Sequence, residues 1–265
     1  MNIFQTTVPT QIGQFSIDDA YRLKTAFQEA LDAVKEAQAA LDKADQAAKR
    51  VGGFTAFRLE RASEADIAEA FWTAVLRSLP VRKAMSHQQQ EDMEKWVGSQ
   101  EYRSRGSYPR WYPEFIIPNI MQIAEMYEER HAFFLRNWAL TVYRHFVGYP
   151  EEPHEIHIPN KIKASGYVDS QGVKFGWHIR FLADLDRLFY YLDGRALEEP
   201  FNQYESPLIA AIREAVKRGE NSGETDYFHF RFYTGNGNLN LAITRRDLVS
   251  AWEDLAREGM AEQMR

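Results

Sequence analysis

The sequence predicts an α+β fold: a mostly helical N-terminal two thirds opened by one long helix, then a small antiparallel sheet with flanking helices at the C-terminus. Three observations predict it. From Ser16 to Arg50 there is no Gly or Pro, while Phe27, Leu31, Val34, Ala37, Leu41, Ala44 and Ala48 recur in steps of three or four. Apolar stripes of the same period return at 120–146 and 177–192. Tyr227 to Tyr233 alternates strictly, Gly235-Asn236-Gly237 follows, and Leu239, Leu241 and Ile243 then alternate with Asn238, Asn240 and Ala242, the pattern of a β-hairpin.

Each element has a local reason. Ser16 accepts from an orphan backbone N–H and Asp18 and Asp19 sit at the positive end of the dipole, so the first helix starts there. It runs about 50 Å at 1.5 Å per residue and cannot be satisfied by its own contacts. Gly52-Gly53 ends it. A second helix opens near Ser63 and stops before Pro80; Ser86 and Gln89, at capping-box spacing, open a third that ends at Gly98. After a loop from Ser99 to Pro118, Ile120, Ile123, Tyr127, Phe134, Trp138, Val142 and Phe146 mark one long fourth helix to Gly148, whose wide stripe places it at the centre of the domain. The run PEEPHEIHIPN (150–160) is too rich in proline for helix. Lys161–Val168 alternates as a short strand, Trp177–Leu192 is a helix stopped by Gly194, and Ser206-Pro207 caps another over 208–217. Thr244, with Asp247 three residues on, opens the terminal helix. The expected organisation is a tail and long Ala-rich helix (1–53), then one α+β domain (54–265) that is helical over 54–148 and sheet-containing over 149–265.

Composition narrows the function. A formal net charge of -6 and a pI near 5.7 argue against coating nucleic acid by bulk charge, but leave room for a local basic patch. The absence of cysteine excludes disulfides, thiolate zinc sites and cysteine nucleophiles, and suits a reducing cytoplasm. No apolar run reaches the roughly 18–20 residues of a membrane span, and MNIFQTTVPT lacks a signal-peptide core, so no membrane partner is expected.

Catalytic constellations are weak. His154 and His157 lie at an odd offset in an extended run, where they point to different faces, and no metal site is expected there. Asp184 and Asp186, two apart on a helix, diverge; Asp184 with Arg187 reads as an ion pair. Lys161 and Lys163 lack the acidic residue two positions earlier that a strand-borne nuclease motif needs, and nucleophile-elbow, phosphate-loop and dinucleotide motifs are absent. The expectation is no cofactor and no stand-alone enzyme. The strongest binding candidate is the loop carrying Arg103, Arg105, Tyr108, Arg110, Trp111 and Tyr112, where guanidinium groups interleave with aromatic rings in an acidic chain. Arg136, Arg144, Arg231, Arg245 and Arg246 form a secondary basic set, with His145, His229 and Tyr233 beside them. On the long helix, Phe27, Leu31, Val34 and Leu41 are the seam, either folded back on helix 120–147 or pairing with a second copy.

A strand ending in Arg-aromatic, then GNGNLNL, then RRDLV opening a helix, resembles an uncharacterised bacterial domain-of-unknown-function family. The segments DIAEAFWTAVLRSLPVRKAMSHQQQEDMEKW (66–96), RNWALTVYRHFVGY (136–149) and LADLDRLFYYLDGR (182–195) fit the same pattern, so the resemblance spans roughly 54–265. It implies a setting on plasmids, prophages and integrative elements, often fused to or beside DNA adenine methyltransferases, and supplies no catalytic residues. The function expected from that setting is an accessory protein that binds a protein partner or DNA-processing complex in host–element conflict: anti-phage defence, restriction or anti-restriction. Two alternatives stay open, a direct nucleic-acid binder using the Arg/aromatic loop and a metal-dependent nuclease.

Overall fold

In the computed structural model, residues 14–50, 64–97, 113–195 and 205–264 are described. They carry helices α1 (Ile17–Arg50), α2 (Glu64–Ser78), α3 (His87–Val97), α4 (Ile117–Glu129), α5 (His131–Phe146), α6 (Trp177–Leu192), α7 (Pro207–Lys217) and α8 (Arg246–Gln263). The strands are β1 (Lys161–Ala164), β2 (Val168–Asp169), β3 (Gly172–Val173), β4 (Ser222–Glu224), β5 (Phe228–Tyr233) and β6 (Asn238–Ile243). The α+β class, the long first helix and the C-terminal antiparallel sheet with flanking helices are as expected. The described residues form two compact units, one lying within 13–82 and 90–129, the other within 83–89 and 130–265.

In the helical unit α1 packs on α2 and α4. Ser16 and Asp19 cap it reciprocally: the Asp19 N–H donates to the Ser16 hydroxyl (3.2 Å) and the Ser16 N–H to the Asp19 carboxylate (3.1 Å). The first half of its stripe enters an aromatic knot, with Phe27 4.6 Å from Phe115 and edge-on to Phe71 at 5.4 Å. Trp72 packs edge-on against Phe115, and its indole donates to the Pro113 carbonyl (2.9 Å). Phe27 and Leu31 are buried, whereas Val34 and Leu41 are only half-buried and Ala37 is exposed. The seam therefore divides: Phe27 and Leu31 are satisfied inside this unit, while Val34, Ala37 and Leu41 are in part open to water.

The expected single helix over 120–147 is two. Arg130, at φ -91° and ψ 7°, leaves the helical region between α4 and α5 without a side-chain cap. No Gly or Pro marks the break, and the apolar period continues across it, which is why the pattern reads as one helix.

In the second unit the central helix is α6, where every residue from Leu182 to Leu192 is buried. Its bounds match those expected. The sheet runs β1-β6-β5-β4, all antiparallel, beside a β2-β3 ribbon. Its inner face, Ile162, Ala164, Phe228, Phe230, Phe232, Leu239, Leu241 and Ile243, joins the core with α6, where Phe189 meets Phe228 at 4.9 Å. The hairpin turn has four residues, Thr234–Gly237, and contains the expected Gly235-Asn236-Gly237. Gly237 is required twice over: its φ is +71°, and a Cβ there would lie 3.0 Å from Gly166 Cα. Ser206 caps α7 as expected, its hydroxyl accepting from the Ile209 N–H (3.3 Å). The α8 cap shifts by one residue to Arg245, and the Thr244 hydroxyl donates instead to the Asp226 carbonyl (3.1 Å).

Helices α5 and α8 approach closely at Gly259, where a Cβ would lie 2.7 Å from the Arg136 carbonyl oxygen. Backbone cannot yield there as a flexible side chain would. Gly259→Ala is expected to destabilise by about 1–3 kcal/mol, outweighing the roughly 1 kcal/mol of better helix propensity. Gly235→Ala, with nothing within 4 Å, is the near-neutral control in denaturant melts. In the helical unit, Leu31→Asp is expected to lower the melting temperature markedly, and Leu41→Asp much less.

Candidate functional site

The register of the sheet decides what its outer face carries. Lys161 pairs with Ala242, and His229 pairs with Ala242 from the other side; Lys163 pairs with Asn240, which pairs with Arg231; Tyr233 pairs with Asn238. Directly paired residues project to the same face, so Lys161, Lys163, His229, Arg231, Tyr233, Asn238 and Asn240 form one surface. The alternation e-B-e-B along β1 and B-e-B-e-B-e along β5 puts these residues outward because the phenylalanines are committed inward. Lys163, Asn240 and Arg231 make one row across three strands, about 10 Å wide at about 4.8 Å per strand.

This face is positive on an acidic chain. Among the described residues no carboxylate lies within ion-pair reach of Lys161, Lys163 or Arg231. The carboxylate on the face is Glu224, 3.2 Å from His229. Arg231 rests 5.9 Å from the Tyr233 ring centroid, and Tyr233 stays 43% exposed. Elsewhere several guanidinium groups are matched. Arg136 on α5 pairs with Glu258 (3.5 Å) and Glu262 on α8, and Arg144 donates to Gln263 (2.8 Å). Arg245 pairs with Asp193 (3.0 Å) and Asp247 (2.6 Å). Arg246 is exposed at the start of α8. The five expected secondary arginines thus lie on three elements, and of these only Arg231 shares a face with the lysines. The loop residues Arg103, Arg105, Tyr108, Arg110, Trp111 and Tyr112 lie outside the described residues.

Two constellations went unseen in the sequence. His87 donates its backbone N–H to Asp184 Oδ1 (3.0 Å), and its ring Nδ1 lies 2.6 Å from the same oxygen. Arg187 makes the expected ion pair with Asp184 (3.8 Å), and its guanidinium lies over Trp138 (5.5 Å). Both members of the His87–Asp184 pair are buried, which suits a tie between the 83–89 segment and α6. The second is a ring cluster at the start of α6. His145 stacks on Phe181 (3.6 Å, 2° between planes), shares a hydrogen bond with the Tyr167 hydroxyl through Nε2 and meets Trp177 edge-on at 5.3 Å. Burial, with the nearby His178 charge adding and Asp184 opposing, pushes His145 down to about 4, so its ring is neutral near pH 7. Burial also lowers His131, whose Nε2 lies 2.7 Å from the Tyr191 hydroxyl. Neither histidine adds to a positive face.

His154 is exposed in a one-turn 3-10 helix, and His157 stands 3.2 Å from Glu253. Among the described residues, no group of three His, Asp or Glu side chains is placed to hold a metal ion, and no helix is long and apolar enough to cross a membrane.

A family model described as Domain of unknown function (DUF4942) matches residues 64–259, more than two thirds of the chain. The chain belongs to that family. The matched span contains α2–α7, all six strands and most of α8, so the outer sheet face lies wholly within it. No curated protein and no solved structure matches the chain.

The histidine cluster gives a pH dependence with a definite sign. Between about pH 6.5 and 4 the unfolded chain takes up a proton that folded His145 refuses, so stability falls as pH falls through that window. Asp186 has the opposite sign: burial pushes its carboxyl up to about 6, so acidification favours the folded state from there down to the unfolded value. Melting temperatures of wild type and His145→Phe from pH 7.5 to 4.5 separate them. The wild type is expected to fall more steeply, and parallel curves would remove His145 as the source.

Proposed function

We propose that this chain is a binding protein whose ligand is a nucleic acid, met on the outer face of the β1-β6-β5-β4 sheet. The observation that carries the reading is the concentration of Lys161, Lys163 and Arg231, without acidic partners among the described residues, on one flat face of an acidic chain. Cations of that kind release counterions from a phosphate backbone, while Asn238 and Asn240 between them offer amide donors and acceptors. The setting belongs to the same proposal: an accessory protein of plasmids, prophages or integrative elements, working in the cytoplasm in defence, restriction or anti-restriction. A second reading, a protein partner, is supported at the start of α6, where Trp177 is 53% and Phe175 75% exposed, since exposed aromatic side chains are common anchors of protein interfaces.

Fluorescence anisotropy with labelled DNA and RNA over a salt series tests the first reading. Affinity is expected to fall linearly on a log–log plot, and Lys163→Ala or Arg231→Ala to reduce the slope by about 1 each. Binding that ignores salt, or no binding at about 50 mM salt, would remove it. Cleavage of the labelled strand on adding Mg²⁺ or Mn²⁺ would turn the reading towards a nuclease.

A further inference from the structure

We propose that the nucleic acid is a single strand, and that a cleft at the hairpin end of this face receives one of its bases beside Tyr233. The inference rests on the reading of the sheet face given above and adds the form of the ligand. The cleft holds about 620 Å³, within the range of roughly 300–1,000 Å³ that small-molecule sites occupy. It lies between the hairpin turn, Tyr233 to Asn236, and the segment running from the end of α7 into β4, with Ser170 of the β2–β3 turn completing it.

Its chemistry differs from that of the face it adjoins. No lysine or arginine lines it, so a phosphate gains little by entering. The lining offers the Ser170 and Thr234 hydroxyls, the Asn221 and Asn236 amides and the Glu220 carboxylate. Glu220 is held in place by Arg218 (2.8 Å), which leaves its remaining lone pairs as acceptors for an exocyclic amino group. With Val216 and Phe232 as apolar walls beside Tyr233, these neutral donors and acceptors and one carboxylate suit the edge and face of a base. Tyr233 belongs to both surfaces: it ends the outer row of β5 opposite Asn238 and lines the cleft. A strand whose phosphates track Lys161, Lys163 and Arg231 therefore reaches the cleft with a base free to turn in.

A duplex fits poorly. Its bases are stacked and paired, and its major groove is read by an inserted helix or ribbon, whereas this surface is a broad face of four strands with the cleft at its margin. The turn is also fixed rather than free to open, since the Gly237 carbonyl accepts from the Tyr167 N–H (2.7 Å) and the Val168 N–H (3.2 Å).

The test uses the full chain with labelled oligodeoxycytidylate and oligocytidylate of about 15 nucleotides, whose bases carry the exocyclic amino group, a duplex of the same length and a single strand of abasic sites. Both single strands are expected to bind at least about tenfold more tightly than the duplex at equal salt. Tyr233→Ala is expected to weaken single-strand binding about tenfold without changing the salt slope, and Tyr233→Phe to retain it. The abasic strand is expected to bind weakly and equally to wild type and Tyr233→Ala. Tyr233 is exposed, so circular dichroism melts of the variants should match wild type. Equal affinity for duplex and single strand, or a Tyr233→Ala protein that binds like wild type, overturns the base cleft while leaving the cationic face standing. Failure of every probe to bind removes both.

Discussion

Burial of α6 on every side between Leu182 and Leu192 decides where the rest of its unit can go. An all-round buried helix must give a partner to each polar group it carries, because an unpaired buried charge costs several kcal/mol. Asp184 takes the His87 backbone and ring, Asp186 accepts from the Leu208 N–H (2.8 Å) at the start of α7, and Arg187 spreads over Trp138. Each partner comes from a different stretch of sequence. The three charges contribute little net stability and instead specify which segments dock on α6 and in what register. Asp186 carries a visible penalty: burial raises its carboxyl against the lowering pull of the Leu208 N–H and the Ser206 hydroxyl.

The same burial shapes the functional surface. Covering α6 takes Phe228, Phe230 and Phe232 from β5 and Leu239, Leu241 and Ile243 from β6. In a strand the alternate positions must then point away, so His229, Arg231 and Tyr233 are outward by geometry. Pairing of β1 to the far side of β6 adds Lys161 and Lys163 to the same surface. A core built from one helix and one sheet face thus leaves a single broad sheet face whose chemistry is free to serve binding.

Features carried by local signals were legible. The reciprocal Ser86–Gln89 bonds (2.8 and 3.2 Å), the bounds of α6, the proline start of α7 and the hairpin strands all follow from caps, periods and turn residues within a few positions. Features set by distant partners were not. His87 and Asp184 are 97 residues apart, and β1 meets β6 about 80 residues later, so Lys161 and Lys163 read only as a short strand lacking a nuclease motif. The break at Arg130 was not legible either: no Gly or Pro lies beside it, and the apolar period continues across it. The stripe of α1 was read correctly as apolar, but periodicity alone did not show that Phe27 and Leu31 would enter an aromatic knot while Leu41 would not.

An acidic chain that carries a cationic face is electrostatically directional. A net charge of -6 repels a polyanion from most approaches, and beyond a Debye length of about 8 Å at physiological salt that repulsion is largely screened. Within that range the local face dominates, and its sign is positive because Lys161, Lys163 and Arg231 project from it, whereas several arginines elsewhere are paired. Along α5 and α8, Arg136 answers Glu258 and Glu262; at the start of α8, Arg245 answers Asp193 and Asp247. Those pairs are structural: they tie α5 to α8 and the start of α8 to the end of α6. Pairing of this kind leaves those arginines less free to meet an outside anion than the cations of the sheet face, while the acidic remainder of the chain gives its field a direction.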